Sequence, residues 1–554
     1  MKKILLLLLG SCLLGLFSRA QYSRYIIRFT DKNNSPFSLS QPGAYLSAKS
    51  LDRRSRQNIS VDSTDLPINP AYLDSIKNAG AVTILNKSKW LNQVAILTTD
   101  SAALAKILGF PFVRPSSGPI AIRKQNPDAA ARNKFTEKIE EITTTTTRSG
   151  DTVDYYNYGT NDAQVRIHHG EFLHNQGFHG EGMTIAILDA GFFHYQTNPV
   201  FDSVRNNNQI LGTWDFVKNE ASVNEDDAHG MYCFSIIAAN TPGTMIGTCP
   251  KAKFYLFRTE EAATEYPIEE QNWVAAAEMA DSLGVDLITS SLGYSEFDDP
   301  FFNHTYADMN GNTTIIANGA DLAARKGMIV TNSAGNSGQD AWHYIISPAD
   351  ADSILAVGAV NSSKLVAPFS SYGPSSDGRI KPNVASVGWG TIISNTAGVP
   401  VSGSGTSFSN PNLAGLVTCL WQAFPEFSNM DIIDAIQRSS DHYSNPDDRV
   451  GYGIPDFQLA FQTLQAKRKT KQAIWAFPVP FKDRLTVNIL PSTTGIASLQ
   501  LVNAIGQLIQ SRSLPVVNGQ YQVVQLTVKP GLSRGVYFLV FREGKSKHTI
   551  SVIK

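Results

Sequence analysis

The 554-residue chain is too long for one ordinary domain and predicts roughly three to four folded units. Hydrophobic residues at 42% and charged residues at 17% give a globular composition with material for a sizeable core. The formal net charge of -1 supplies no basic field for nucleic acid or an anionic membrane surface, so nucleic acid is not an expected partner.

In chain order, Met1-Lys2-Lys3, the apolar run Ile4 to Phe17 and Ser18-Arg19-Ala20 read as a secretory signal peptide over residues 1–20. Leu9-Gly10-Ser11-Cys12 also resembles a lipoprotein cleavage box, but the Ala20 site leaves a cleaner apolar stretch. Cys233, Cys249 and Cys419 then remain, an odd number without metal spacing; one disulfide plus a free thiol, or three buried thiols, both fit.

Residues 21–149 read as a small α+β unit followed by a linker. Tyr25 to Phe29 and Leu91 to Thr98 are predicted strands; helices are predicted from Pro42 to Gln57, after Pro70, and from Ala102 to Leu108 with Asp100 as N-cap. The polar stretch from about Arg114 to Gly150, with its run Thr143 to Thr147, has too little apolar content for a core and reads as an exposed linker open to proteolysis.

Residues 150–470 alternate buried-strand runs with helical ones. Predicted strands are Met183 to Leu188, Phe254 to Phe257, Leu287 to Ser290, Met328 to Asn332 and Ile354 to Val357; Glu269 to Leu283 and Asn318 to Lys326 are helical. The fold class this predicts is α/β, a mainly parallel sheet flanked by helices with its chemistry beyond the strands' carboxyl ends. Residues 473–554 predict a small all-β sandwich from Leu485 to Ile489, Ser498 to Asn503, Gln522 to Val528 and Val536 to Phe541.

Three segments of the central region carry chemistry. Ile185-Ala186-Ile187-Leu188-Asp189-Ala190-Gly191 ends an apolar strand in a carboxylate; Asp226-Asp227-Ala228-His229-Gly230 opens a helical run; Gly403-Ser404-Gly405-Thr406-Ser407-Phe408-Ser409-Asn410-Pro411 precedes the helix Leu413 to Phe424. Each alone is weak. Together and in this order they resemble the subtilase family of serine endopeptidases, whose chain order is Asp, His, Ser. Gly247 to Ala252, Ser290-Ser291-Leu292-Gly293 and Ser333-Ala334-Gly335-Asn336 are similar to further motifs of that family.

The resemblance implies a catalytic set Asp189, His229, Ser407 and Asn336. A serine hydroxyl is a poor nucleophile until an imidazole takes its proton, which assigns His229 as base and Asp189 as its orienting carboxylate. Ser407 at a helix start has backbone N–H groups for a developing oxyanion, and Asn336 adds a side-chain donor. Substrate is expected to add as a strand beside Ser291, Leu292 and Gly293, with Ala334 and Gly335 lining the primary specificity pocket. Ala190, Met231 and the pair Phe408-Ser409 depart from the usual motif without removing a donor, acceptor or nucleophile. Cys233, about one helical turn after His229, reads as a buried thiol with no role, or as packing beneath the site.

By the same resemblance residues 21–149 form a propeptide that covers the cleft and is cut away, with maturation expected between Thr143 and Tyr156. The tail resembles the C-terminal sorting domain of type IX secretion substrates through Phe477 to Phe481, Val502 to Gln507 and Gly535 to Phe538, although Val479 stands where Asn is usual. The expectation is a secreted or cell-surface monomer whose partners are protein or peptide substrates, its own propeptide and the secretion machinery. No cofactor or metal is required. Structural calcium is common in the family, but no compact carboxylate loop demands it; Asp350, Asp352 and Glu225-Asp226-Asp227 read as solvated charges or partners of other groups. The rival reading is a catalytically silent peptide-binding surface protein or adhesin on the same fold.

Overall fold

The computed structural model describes residues 22–115, 120–124, 133–142, 154–468, 473–477, 479–481, 483–519, 522–528 and 531–554. The signal segment with Cys12, the threonine run Thr143 to Thr147, and Pro478 lie outside the described residues. No helix among the described residues is long and apolar enough to cross a membrane.

The central domain is built on a nine-stranded sheet. From one edge the strands are Ile210–Asp215, Lys253–Arg258, Thr184–Asp189, Leu287–Ser290, Ile329–Ser333, Leu355–Asn361 and Val384–Ser394, all parallel, then Pro400–Ser404 and Lys138–Glu141, both antiparallel to their neighbours. Buried runs such as Thr184–Asp189, inaccessible along their whole length, require cover on both faces. Helices His229–Ala238 and Thr406–Ala423 pack on one face and Ile268–Leu283 and Ile315–Arg325 on the other, enclosing two large apolar clusters. The five predicted strands are present; Leu287–Ser290 has the expected bounds and the other four are shifted by a residue or extended.

The N-terminal unit is a four-stranded antiparallel sheet, Thr83–Ser88, Gln93–Leu97, Tyr22–Arg28 and Ile120–Lys124, backed by helices that include Pro70–Lys77 and Ser101–Leu108. Asp100 caps the latter by accepting from Ala102 and Ala103 N–H. The predicted helix from Pro42 is a 3₁₀ turn, Pro42–Ala44, then a helix Ala48–Arg56 capped by Ser47.

This unit docks on the helix Ile268–Leu283, whose polar residues Glu269, Glu270, Gln271, Asn272, Glu278 and Asp281 are buried. Gln93 Nε2 donates to Gln271, Asn86 Nδ2 to Asn272, and Glu278 accepts from Lys89 N and Trp90 N at 2.7 and 3.0 Å. Arg53 and Arg54, both inaccessible, share the carboxylate of Asp281. Removing that carboxylate leaves buried Arg53 without a counter-charge and Arg54 with Asp65 alone. Asp281→Ala is therefore expected to destabilise the full chain by about 3–5 kcal/mol, read as a lowered urea midpoint.

The linker reading needs correction at two places. Ile120–Lys124 is a strand of the N-terminal sheet, with Ile122 buried against Ile26 and Tyr266. Lys138–Glu141 joins the central sheet, pairing Ser404 with Lys138, Gly403 with Ile139 and Val401 with Glu141. Four exposed residues in a strand carry no apolar signal; their order comes from ladder hydrogen bonds to a partner more than two hundred residues away.

The C-terminal unit is a sandwich of a three-stranded sheet, Ile474–Phe477, Arg484–Ile489 and Gln522–Thr527, and a four-stranded one, Leu508–Val516, Gly495–Asn503, Val536–Glu543 and Ser546–Ile553. Leu485, Val487, Leu499, Leu501, Leu539 and Phe541 form its core.

Candidate active site

Asp189 is the last residue of its strand and His229 the first residue of its helix. Gly230 lets the two meet: a Cβ there would lie 2.5 Å from Gly191 O and 2.7 Å from Asp189 Cβ. His229 Nδ1 donates to Asp189 Oδ1 at 2.7 Å, and Asp227 Oδ1 accepts from His229 N–H at 2.7 Å. Ala190 N–H also donates to Asp189 Oδ1 at 2.7 Å, and Asp189 Oδ2 has no hydrogen-bond partner among the described residues.

Ser407 is the second residue of the helix Thr406–Ala423. Pro411, four residues on, lacks the N–H that would bond the Ser407 carbonyl. Ser291 Oγ donates to that carbonyl at 2.9 Å and Cys233 Sγ at 3.3 Å, so two side chains from other elements fix the first turn. Cys233 thus packs beneath the site and makes a contact there; burial pushes its thiol well up, so it stays a neutral donor. Asn336 Oδ1 accepts from Thr406 N–H and Oγ1, each at 2.8 Å, which commits the amide's oxygen and aims Nδ2 toward Ser407.

The expected continuous row from carboxylate to imidazole to hydroxyl is interrupted. Ser407 Oγ donates to Glu137 Oε1 at 2.7 Å, Asn336 Nδ2 donates to the same oxygen at 3.4 Å, and His229 Nε2 lies 3.4 Å from it. The carboxylate on which these three groups converge comes from the segment just before Lys138–Glu141. Phe135 of that segment stacks on the His229 ring, centroids 4.1 Å apart, and Asn133 Nδ2 donates to Asp227 Oδ2 at 2.7 Å. Nothing local in the sequence singles out Glu137; only the later pairing with Pro400–Ser404 brings it in.

Burial alone would lower the His229 imidazole, but Asp189 and Glu137 outweigh it and hold it well above its ordinary value. Burial also works to raise Glu137, yet His229 and the Ser407 hydroxyl outweigh it and hold the carboxyl below its usual range. Asp189 is raised by burial, against the pull of His229.

Ser291 and Leu292 are buried at the end of the strand Leu287–Ser290, next to Gly293. A Cβ on Gly293 would lie 2.5 Å from Ile346 Cδ1, and one on Gly335 would lie 2.9 Å from Ile346 Cγ1. Ile346 therefore stands between the two glycines, beside buried Ala334. The sequence reading missed it because Ile346 lies outside the matched motifs and reaches Gly293 only through the fold.

Among the described residues two groups bring three ligand-type atoms within 4.8 Å: Asp189, His229 and Cys233, and Glu260, Glu265 and Glu269. In the first, His229 Nδ1 is already committed to Asp189. The second is filled by a lysine, described below. Of the two readings for Asp350, it is a partner of another group and not a solvated charge: it is inaccessible and accepts from Gly311 N–H at 2.7 Å. Asp226 pairs with Lys218 at 2.6 Å and Arg258 at 3.3 Å. Cys233, Cys249 and Cys419 are all buried free thiols.

Comparison with known proteins agrees with this architecture. The profile described as the Subtilase family matches residues 180–453, that of the Peptidase S8 propeptide domain, Bacteroidota, residues 24–141, and that of the Secretion system C-terminal sorting domain residues 475–554. Subtilisin amylosacchariticus of Bacillus subtilis subsp. amylosacchariticus is 27% identical over 52% of this chain and 68% of its own. Subtilisin DY of Bacillus licheniformis is 28% identical over 50% of this chain and 89% of its own. The crystal structure of MycP1 from Mycobacterium smegmatis aligns with 61% of this chain and 95% of its own at 20% identity and a TM-score of 0.43. The chain belongs to the subtilase family as a serine endopeptidase, with an S8 propeptide domain before the peptidase domain and a secretion-sorting domain after it.

Proposed function

We propose that the chain is the precursor of an endopeptidase that cuts peptide bonds through an acyl-enzyme formed on Ser407. In this reading His229 Nε2 takes the Ser407 proton as Oγ attacks the scissile carbonyl carbon. Asp189 holds the imidazole in the Nδ1–H tautomer and offsets the imidazolium charge. The tetrahedral oxyanion is met by Asn336 Nδ2 and by backbone N–H at the start of the helix Thr406–Ala423. His229 then passes its proton to the leaving amine, and a water attacks the ester by the same route in reverse. Glu137 Oε1 carries the reading: an anionic oxygen, contacted by Ser407 Oγ, Asn336 Nδ2 and faced by His229 Nε2, stands in for the charge that develops during catalysis.

Glu137 also gives the precursor its restraint. While its carboxylate accepts the Ser407 proton, the hydroxyl is turned from the imidazole. The polar composition of the docking face on Ile268–Leu283 supports later release, because Gln271, Asn272, Glu278 and Asp281 tolerate water once uncovered. The sorting domain directs the protein to the secretion machinery and so to the exterior or the cell surface.

A serine-reactive phosphonate tests the reading. The processed protein is expected to hydrolyse casein, to lose that activity on treatment, and to carry the label on Ser407. Casein hydrolysis no higher than background, with Ser407 unlabelled, would favour the silent peptide binder.

Ile346 sets what the primary pocket admits. It occupies the space between Gly293 and Gly335, so small side chains before the scissile bond are preferred. Ile346→Gly is expected to raise kcat/KM for phenylalanine relative to alanine there by about 10- to 100-fold, at roughly 1–3 kcal/mol per apolar group accommodated. Paired peptide substrates read that ratio.

A further inference from the structure

Residues 133–137 form a strap over the site, and three residues before Glu137 the Lys134 side chain enters the peptidase domain. Its Nζ lies against the carboxylate of Glu260, 2.9 Å from Glu265 Oε2 and 3.2 Å from Glu269 Oε2, and donates to Thr264 O at 2.9 Å. Its backbone N–H donates to Ala262 O at 3.0 Å, so the segment is held by main chain as a bound peptide would be. The pocket walls are fixed without Lys134. Tyr294 Oη donates to Glu260, while Glu269 accepts from Glu261 N–H at 2.9 Å and Tyr266 N–H at 3.0 Å. Glu265 is different: its Oε1 is buried with no hydrogen-bond partner.

We propose that Glu260, Glu265 and Glu269 form a substrate subsite that takes a basic side chain, lysine or arginine, about three residues before the residue at Ser407. Lys134 occupies it in the precursor. This rests on the endopeptidase reading, since it makes the propeptide strap a stand-in for substrate. When the strap leaves, three carboxylates remain within 4.8 Å of one another with no cation among them. Like charges so close cannot all stay ionised away from water without a counter-charge, and a substrate ammonium or guanidinium restores one. Even with Lys134 in place, burial pushes the Glu265 carboxyl up, Lys134 pulling against it and Glu260 adding to it. A pocket deep enough for a four-carbon stem, with acceptors only at its end, discriminates against neutral side chains of the same length.

The test uses two peptides copying residues 133–142, one with lysine and one with norleucine at the place of Lys134, offered to the secreted, processed enzyme. Dissociation constants are measured by fluorescence anisotropy and hydrolysis by mass spectrometry in the same samples. The lysine peptide is expected to bind at least tenfold more tightly, with arginine restoring most of that gain. The advantage is expected to fall below about twofold in the isosteric variant Glu260→Gln/Glu269→Gln. Equal binding of the two peptides by the unmodified enzyme overturns the subsite and needs no variant to fold. Preferred binding of the lysine peptide by a processed protein that does not hydrolyse casein leaves the subsite standing and overturns the endopeptidase reading.

Discussion

Ser407→Ala is expected to accumulate as full-length, uncut precursor and to lower peptide hydrolysis by about 10⁶-fold, a magnitude already established for the nucleophile of subtilisin. The substitution removes the attacking oxygen and leaves Asp189, His229 and Asn336 in place, so no neighbouring group can replace it. It also deletes the 2.7 Å bond from Ser407 Oγ to Glu137 but keeps the Phe135 stack and the Lys134 contacts, so the strap should remain seated. Intact mass of the purified protein and casein hydrolysis read the two effects separately. A variant processed at the wild-type rate would show that another protease matures the chain; unchanged hydrolysis would remove Ser407 from the chemistry. The silent-binder alternative predicts no difference in either measurement.

The candidate constellation was legible in the sequence because each member sits in a short segment with its own local reason. Asp189 ends a buried strand with the apolar run Ile185 to Leu188, His229 opens a helix just before Gly230, and Ser407 follows two glycines at another helix start. Their order then carried the fold, since the apolar runs Leu287–Ser290 and Ile329–Ser333 can only be interior strands of a covered sheet. What stayed hidden depends on partners far along the chain. Lys134, Phe135 and Glu137 lie in a polar stretch that looks like a linker, and acquire their roles from Glu260 to Glu269, His229 and Ser407. The strands Leu508–Val516 and Ser546–Ile553 were not read because they are mostly exposed, which leaves little apolar alternation to detect. The helix Ile268–Leu283 was read correctly, but its polar face was not recognised as a docking surface. Polar residues that serve a transient interface look the same in sequence as residues that face water.

Glu137→Gln is expected to release the precursor at lower pH. The Glu137–His229 contact is an ion pair only while the carboxylate is ionised and the imidazole protonated. His229 is raised above its ordinary 6.5 by Asp189 and Glu137 acting against burial, so its share of the latch is complete below 6.5 and is lost as pH rises through the raised value. Glu137 is held below its ordinary 4.5, so its share is complete above 4.5 and is lost as pH falls through the depressed value. The latch is thus strongest between 4.5 and 6.5 and loosens as pH climbs. Glutamine keeps an oxygen for the Ser407 hydroxyl but removes the charge that helps hold His229 protonated; Asp189 alone then supports the imidazolium. The pH at half-maximal processing should move down by about one pH unit, which makes processing near pH 6.5 about tenfold faster than in the wild type. Self-processing of purified precursor, followed by gel at a series of pH values in constant ionic strength, gives both midpoints. Superimposable profiles would mean that Glu137 merely fills space above Ser407 and carries no electrostatic hold on the imidazole.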